Sequence, residues 1–226
     1  LGTNSAGHYN NNFLDAYDED YRSLRNILYT LKEYRHIKLI FMSSSYVYSG
    51  IDSSKMVEEN VNLSPSHNFG ISKLFFENLI ERNCKEYVIY RLSNVLGFGN
   101  QINKTAVMDW FQEAIKCNEI VVWGKGKRKL QYIVMDDLLN ILAQGLNIPN
   151  GIYNLGSENY KSMKYVSSKI GTITNSKVVF LDEKPEGYSL PFMSLSKLDK
   201  IINYVHNDFD ESLLEFYKKI SEDINE

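Results

Sequence analysis

Cysteine is almost missing from this chain. Only Cys84 and Cys117 occur in 226 residues. That argues against a disulfide framework or a metal site, so a reducing compartment is expected. Both cysteines fall in helical patterns and read as small packing residues. Long apolar runs are also missing. The longest are strand-length, such as "IKLIFM" at 37–42, and none could form a membrane-spanning helix. Charge of one sign is missing too: 25 basic residues face 28 acidic ones, net charge -3, pI near 5.9. No basic surface for nucleic acid or an anionic membrane is implied. The opening "LGTNSAGHYNNN" has no basic stretch followed by an apolar one. No secretory signal is read there, and a cytoplasmic location is expected. Repeats and long low-complexity tracts do not occur.

What is present is an alternation of strand and helix patterns. Residues 16–34 place Tyr21, Leu24, Ile27, Leu28 and Leu31 at helical spacing, with acids leading and bases following. "HIKLIFMSSS" at 36–45 reads as a buried strand ending in serines. A polar loop is expected over 50–68. The helical "GISKLFFENLIERN" at 70–83 follows, with Leu74, Phe75, Leu79 and Ile80 on one side. "EYVIYRLSNVLG" at 86–97 reads as a second buried strand entering a glycine loop. A helix is expected at 105–117, then two short strands around a Gly-Lys turn within 119–135. Asp136 and Asp137 open a helix. The strand "GIYNLGS", the helix "SMKYVSSKIGTI", the strand "KVVFL" and a terminal amphipathic helix over 210–224 complete the pass.

This order predicts an α/β protein with a largely parallel sheet. Ligands of such sheets bind at the carboxyl ends of strands. Ser43, Ser44, Ser45, Ser93 and Asn94 all fall at such ends.

Six segments together resemble the extended short-chain dehydrogenase/reductases, the NAD(P)-dependent sugar-nucleotide epimerases and dehydratases. "SSSYVYSG" is similar to that family's Ser-Ser-x-x-Val-Tyr-Gly, and Val47 marks Ser44 as its catalytic hydroxyl. "SPSHNFGISK" resembles Pro-x-Ser-x-Tyr-Gly-x-Ser-Lys. "YRLSNVLGFG", "VVWGKGKRKLQYIVMDDL", "GIYNLGS" and "SLSKLDKI" match later motifs in the family's order. The resemblance implies a partial doubly wound, Rossmann-like parallel sheet with a smaller C-terminal substrate-binding part. Residues 1–98 would form the C-terminal half of the dinucleotide-binding domain. Residues 99–226 would carry substrate binding together with returning Rossmann elements.

The resemblance also implies site roles. Ser44, position 69 and Lys73 correspond to the catalytic triad. Ala6, Gly7, Ser43, Lys73, Ser93 and Val95 would contact NAD or NADP. Ser45, Asn94 and Arg128 would contact a small-molecule substrate, possibly a nucleotide sugar. No metal is implied. A homodimer is implied through helices 16–34 and 70–84, with Tyr21, Leu28, Leu74 and Phe75 as apolar anchors.

The triad has a plain physical logic. Hydride moves between the nicotinamide and a sugar carbon while the sugar hydroxyl exchanges a proton. A phenol performs that exchange when a lysine one helical turn on lowers its pKa. A serine hydroxyl orients the sugar oxygen.

Three departures matter. Position 69 is Phe69, whose ring has no proton to give or take. General acid-base catalysis contributes about 10²–10⁴-fold, so hydride-proton exchange should be impaired. His67 and Tyr48 lie nearby in sequence, but they read as a solvated loop histidine and a packing residue. The Gly-x-x-Gly-x-x-Gly motif that holds a cofactor pyrophosphate is absent from these 226 residues. Two further βαβ units, about 60 residues, are expected upstream. The phosphate-gripping Arg-Asp pair is replaced by Leu130 and Gln131, and "KGKRK" reads as a solvated basic turn. Ser45 and Tyr46 follow Ser44 where dehydratases carry an acid pair, which leaves epimerisation or ketone reduction. A catalytically inactive binding or interaction module is the alternative.

Overall fold

A computed structural model describes residues 6–97 and 105–225, with side chains to residue 222. In chain order the elements begin with α1 (Ala6–Asn11), α2 (Phe13–Glu33), β1 (Leu39–Ser44), β2 (Met56–Val57), α3 (Asn68–Asn83) and β3 (Tyr87–Leu92). Next come β4 (Asn94–Leu96), α4 (Ala106–Cys117), β5 (Glu119–Trp123), β6 (Lys129–Val134) and α5 (Met135–Gln144). The chain continues through β7 (Gly151–Leu155), β8 (Asn159–Ser162), α6 (Met163–Thr174), β9 (Lys177–Leu181), β10 (Phe192–Met193), α7 (Ser196–Asp199) and α8 (Phe209–Asn225). The glycine loop expected after the second strand lies, beyond Gly97, outside the described residues.

Two compact units form. The first comprises Leu1–Ser93, Asn140–Gly156 and Leu190–Tyr204. Its sheet has the order β1-β3-β7, all parallel, with Ser44 opposite Leu92 and Leu92 opposite Leu155. Parallel neighbours need a crossover, and α3 supplies the one between β1 and β3. Leu24 and Leu28 of α2, Phe76 and Ile80 of α3, and Leu39, Phe41 and Ile89 of the sheet make one buried cluster. Burying a side chain of this kind contributes about 1.5–3 kcal/mol. A short parallel pair, β2 with β10, packs Val57 and Met193 against Val47 and Tyr48.

The second unit comprises Asn94–Leu139, Ser157–Ser189 and Val205–Glu226. Its strands form β4-β6-β8, with β6-β8 antiparallel, and a separate parallel pair, β5-β9. The two strands flanking the Gly-Lys turn therefore pair with different partners. Thr105 and Ser162 cap α4 and α6 by accepting from the N–H groups of Met108 and Tyr165. Both helices end on left-handed asparagines, Asn118 and Asn175, each at φ 53°.

Several expectations need correction. The strand foreseen through 86–97 breaks at Ser93 into β3 and β4. The loop over 50–68 contains β2. On α3 the buried apolar residues are Phe76 and Ile80, while Phe75 is exposed. The period places Phe76, one residue later, over the sheet. Cys117 ends α4 and is exposed, and Cys84 caps α3 half-buried, so Cys117 is no packing residue.

Candidate active site

In the first unit the candidate residues gather where β1 ends and α3 begins. Ser44 closes β1 and its Oγ accepts from the Tyr46 N–H at 3.3 Å, starting a 3-10 turn over Ser45–Tyr48. α3 packs onto that turn. A Cβ at Gly70 would strike the Tyr46 carbonyl, so only glycine allows this approach. His67 is buried rather than solvated. Its Nδ1 accepts from the Phe69 N–H at 3.2 Å and caps the helix. Its polar neighbours in sequence concealed this role.

Phe69, Lys73 and Glu77 fall one turn apart on a single face of α3. The Lys73 ammonium is held between two rings, 5.1 Å from the Phe41 centroid and 5.2 Å from that of Phe69. It donates to the Met42 carbonyl at 3.2 Å. Lys73 is 6% exposed. Burial lowers its pKa below the ordinary lysine value, against the raising influence of Asp20 and Glu77. The Phe69 ring packs at 5.4 Å from Tyr9 and edge-on at 5.9 Å from Tyr46. Tyr9 is fully buried and donates its phenol proton to Asp20 at 2.8 Å. Burial, then Asp20, raises the Tyr9 pKa, so the phenol stays protonated.

Behind this rim lies a buried polar network that sequence reasoning missed. Glu77 accepts from Arg91 Nε at 3.2 Å and Nη2 at 2.8 Å, and from Ser43 Oγ at 2.5 Å. Arg91 Nη1 donates to the Tyr48 hydroxyl and the Glu59 carbonyl, both at 2.9 Å. Tyr48 donates to Asn154 Oδ1 at 2.6 Å, and Asn154 Nδ2 reaches the Ser194 carbonyl at 3.0 Å. Tyr48 is thus both packing residue and relay. Burial alone would lower the Arg91 pKa, but hydrogen bonding and charge from Glu77 raise it on balance. Two signals were available: an arginine inside the apolar "YVIYRLS", and a glutamate four residues after Lys73.

The other candidates are placed as follows. Ser43 and Ser45 are buried, with Ser43 committed to Glu77. Ser93 is buried at the end of β3, and its Oγ has no hydrogen-bond partner among the described residues. Ala6 and Gly7 open α1, half-buried and exposed respectively. Asn94, Val95 and Arg128 belong to the second unit. There Asn94 Nδ2 donates to the Gln131 carbonyl at 3.2 Å, and Gln131 Nε2 to that of Ser157 at 2.8 Å. Arg128 is half-buried while Lys125, Lys127 and Lys129 are exposed. Arg128 helps to line a cavity of about 340 Å³ with Trp110, Glu113, Trp123, Met163 and Glu186. No group of acids, histidines and cysteines suited to a metal occurs among the described residues.

With one buried lysine over an aromatic ring, a serine at a strand end and an orphaned Ser93 hydroxyl, the first unit defines a Rossmann-like rim. The model of the NAD dependent epimerase/dehydratase family matches residues 2–156, and the chain belongs to that family. A Methanocaldococcus jannaschii protein provisionally named a UDP-glucose 4-epimerase is 28% identical over 63% of this chain and 49% of its own length. A Bacillus subtilis protein called an uncharacterized UDP-glucose epimerase, YtcB, is 23% identical over 87% of this chain and 64% of its own. The chain thus spans about half to two thirds of these curated relatives. The fold matches UDP-glucose 4-epimerase from Thermotoga maritima, solved with UDP-glucose, at TM-score 0.90 and 16% identity. That match covers 99% of this chain and 76% of the other.

Proposed function

We propose that this chain carries the substrate-facing part of an NAD(P)-dependent nucleotide-sugar epimerase or ketoreductase, slowed in proton exchange by Phe69. The observation that supports this reading best is the Lys73 ammonium 5.2 Å from the Phe69 ring centroid. A phenol in that position would lie beside a cation able to lower its pKa. The names of the relatives point to UDP-sugars as the substrate class.

A nicotinamide cofactor, when bound, supplies the hydride acceptor. Ser43 is occupied by Glu77, so Ser93, Lys73, Ala6 and Gly7 are the residues of the first unit that would hold the cofactor. Ser93 Oγ, buried without a partner, fits such a ligand. In the first unit Ser44 orients the sugar oxygen and Ser45 assists in binding the sugar; in the second unit Asn94 is a separate candidate for substrate contact. In the second unit Arg128 faces a cavity large enough for a nucleotide fragment, and a guanidinium suits phosphate. The two free cysteines fit a reducing, cytoplasmic setting. Of the four expected anchors, Leu28 is buried in its own unit's core, and Tyr21 and Leu74 pack against that unit's clusters. Pairing of two copies therefore rests on the exposed Phe75 of α3, with the exposed Tyr29 of α2 as a further apolar residue.

A second reading, an inactive binding module, is favoured by Phe69 itself. Isothermal titration separates the ligand class from the chemistry. UDP or UDP-glucose should bind at micromolar to millimolar strength, and NAD(P) no tighter than micromolar without a glycine-rich loop. Sub-micromolar NAD(P) binding contradicts the cofactor part. No binding of either uridine compound contradicts the nucleotide-sugar part.

A further inference from the structure

The turn joining β5 to β6 in the second unit is built as an anion cradle and holds an anion of its own. Gly124 and Gly126 take φ of +70° and +67°, a backbone conformation that turns successive N–H groups inward. Those N–H groups meet the Glu186 carboxylate. Lys125 N and Lys127 N donate to Oε1 at 2.7 and 3.1 Å, and Arg128 N donates to Oε2 at 2.6 Å. A Cβ at Gly124 would strike Glu186 Cγ. The reverse side of the turn is fixed: the Gly126 and Arg128 carbonyls accept from Lys164 N and Met163 N at the start of α6. The cradle is therefore held in shape by the helix, independently of Glu186.

The segment carrying Glu186 also occupies Arg128. Arg128 Nε donates to the Tyr188 carbonyl at 2.8 Å, and a Cβ at Gly187 would lie 2.9 Å from its Nη1. Pro185, Glu186 and Gly187 form one wall of the 340 Å³ cavity. Lys125 is paired at 3.8 Å with Asp182, at the start of the same segment. One short acidic segment thus engages three backbone donors, a guanidinium and an ammonium. Burial opposes the Glu186 charge, but the hydrogen bonds from the Arg128, Lys127, Lys125 and Gly126 backbone lower its pKa on balance.

We propose that Gly124–Arg128 is an oxyanion site, for a phosphate or diphosphate group, and that Glu186 is its built-in, displaceable competitor. An arriving oxyanion takes the three N–H groups, releases residues 185–187 from the cavity wall and turns Arg128 toward the ligand. The identification of that oxyanion with a nucleotide diphosphate rests on the nucleotide-sugar reading above; the cradle itself does not.

The test is isothermal titration of inorganic pyrophosphate and, separately, UDP into the chain, Glu186→Gln and Glu186→Ala. Circular dichroism confirms that each variant is folded, and Gln serves if Ala is not. An internal competitor acts at an effective concentration of millimolar order. Its removal should tighten pyrophosphate about tenfold in Glu186→Ala and by a smaller factor in Glu186→Gln. Unchanged or weakened pyrophosphate binding in both variants overturns the proposal, as does the absence of binding throughout. Gain for pyrophosphate with no UDP binding leaves the cradle standing and removes the nucleotide reading. Equal UDP binding in all three, with no pyrophosphate gain, leaves the nucleotide reading standing and removes the latch.

Discussion

Glu77→Gln is the substitution with the largest expected consequence outside the substrate rim. Glu77 and Arg91 have side chains 1% and 3% exposed and form a two-pronged pair. Neutralising Glu77 leaves a buried guanidinium without its counter-charge. Breaking a buried pair from one side costs about 3–5 kcal/mol. Glutamine retains one acceptor oxygen, so the lower end, about 3 kcal/mol, is expected. For a chain of this length 1 kcal/mol corresponds to roughly 2–4 °C, so the melting temperature should fall by about 6–12 °C. Arg91 remains charged at every practical pH because its pKa is raised, so the loss should not recover on changing pH. Replacing both partners by methionine removes the stranded charge and should restore most of the stability. The assay is thermal unfolding by circular dichroism, with hydrogen exchange at β1 and β3 amides locating the change. A drop below about 2 °C for Glu77→Gln, or a double variant worse than either single one, refutes the reasoning.

Lys73→Met should leave stability unchanged or raised at neutral pH, because methionine fills the space between the Phe41 and Phe69 rings without a buried charge. Lys73 has its folded pKa lowered, so between that value and the ordinary 10.5 the unfolded chain binds more protons. Stability should therefore rise with pH through that window, and Lys73→Met should flatten the rise, as urea midpoints at neutral and alkaline pH would show. Tyr9→Phe removes a donor from a charged, buried acceptor, Asp20, and should cost about 1.5–3 kcal/mol in urea unfolding; an effect under 0.5 kcal/mol, roughly a third of that range, contradicts the assignment.

Much of the first unit was legible because its signals are local. Apolar runs ending in "SSS" and "RLS" gave β1, β3 and the rim, and the period of 16–34 gave α2. The four-residue step from Phe69 to Lys73 by itself places both on one helix face. What stayed hidden depends on partners distant in sequence. β2 and β10 are two residues each and exist only because they pair across the chain. The roles of Glu77 and Arg91 required α3 and β3 to meet. His67 looked polar and solvated, yet its ring caps a helix whose first turn lacks Ser, Thr or Asp. The "KGKRK" turn gave its charge in sequence, but not Glu186, 62 residues after Gly124.

The central claim is that position 69 is where this site lacks a proton-exchanging hydroxyl. Its most direct measurement is the rate of reduced-nicotinamide formation from a UDP-sugar and NAD, comparing Phe69→Tyr with the unsubstituted chain. Both arms carry the same glycine-rich dinucleotide-binding segment joined ahead of the chain. A gain of about 10²-fold or more is expected with the tyrosine, abolished when Lys73→Met is added. Equal rates in the presence of Ser44 and Lys73 would contradict the enzyme reading and leave the binding module in its place.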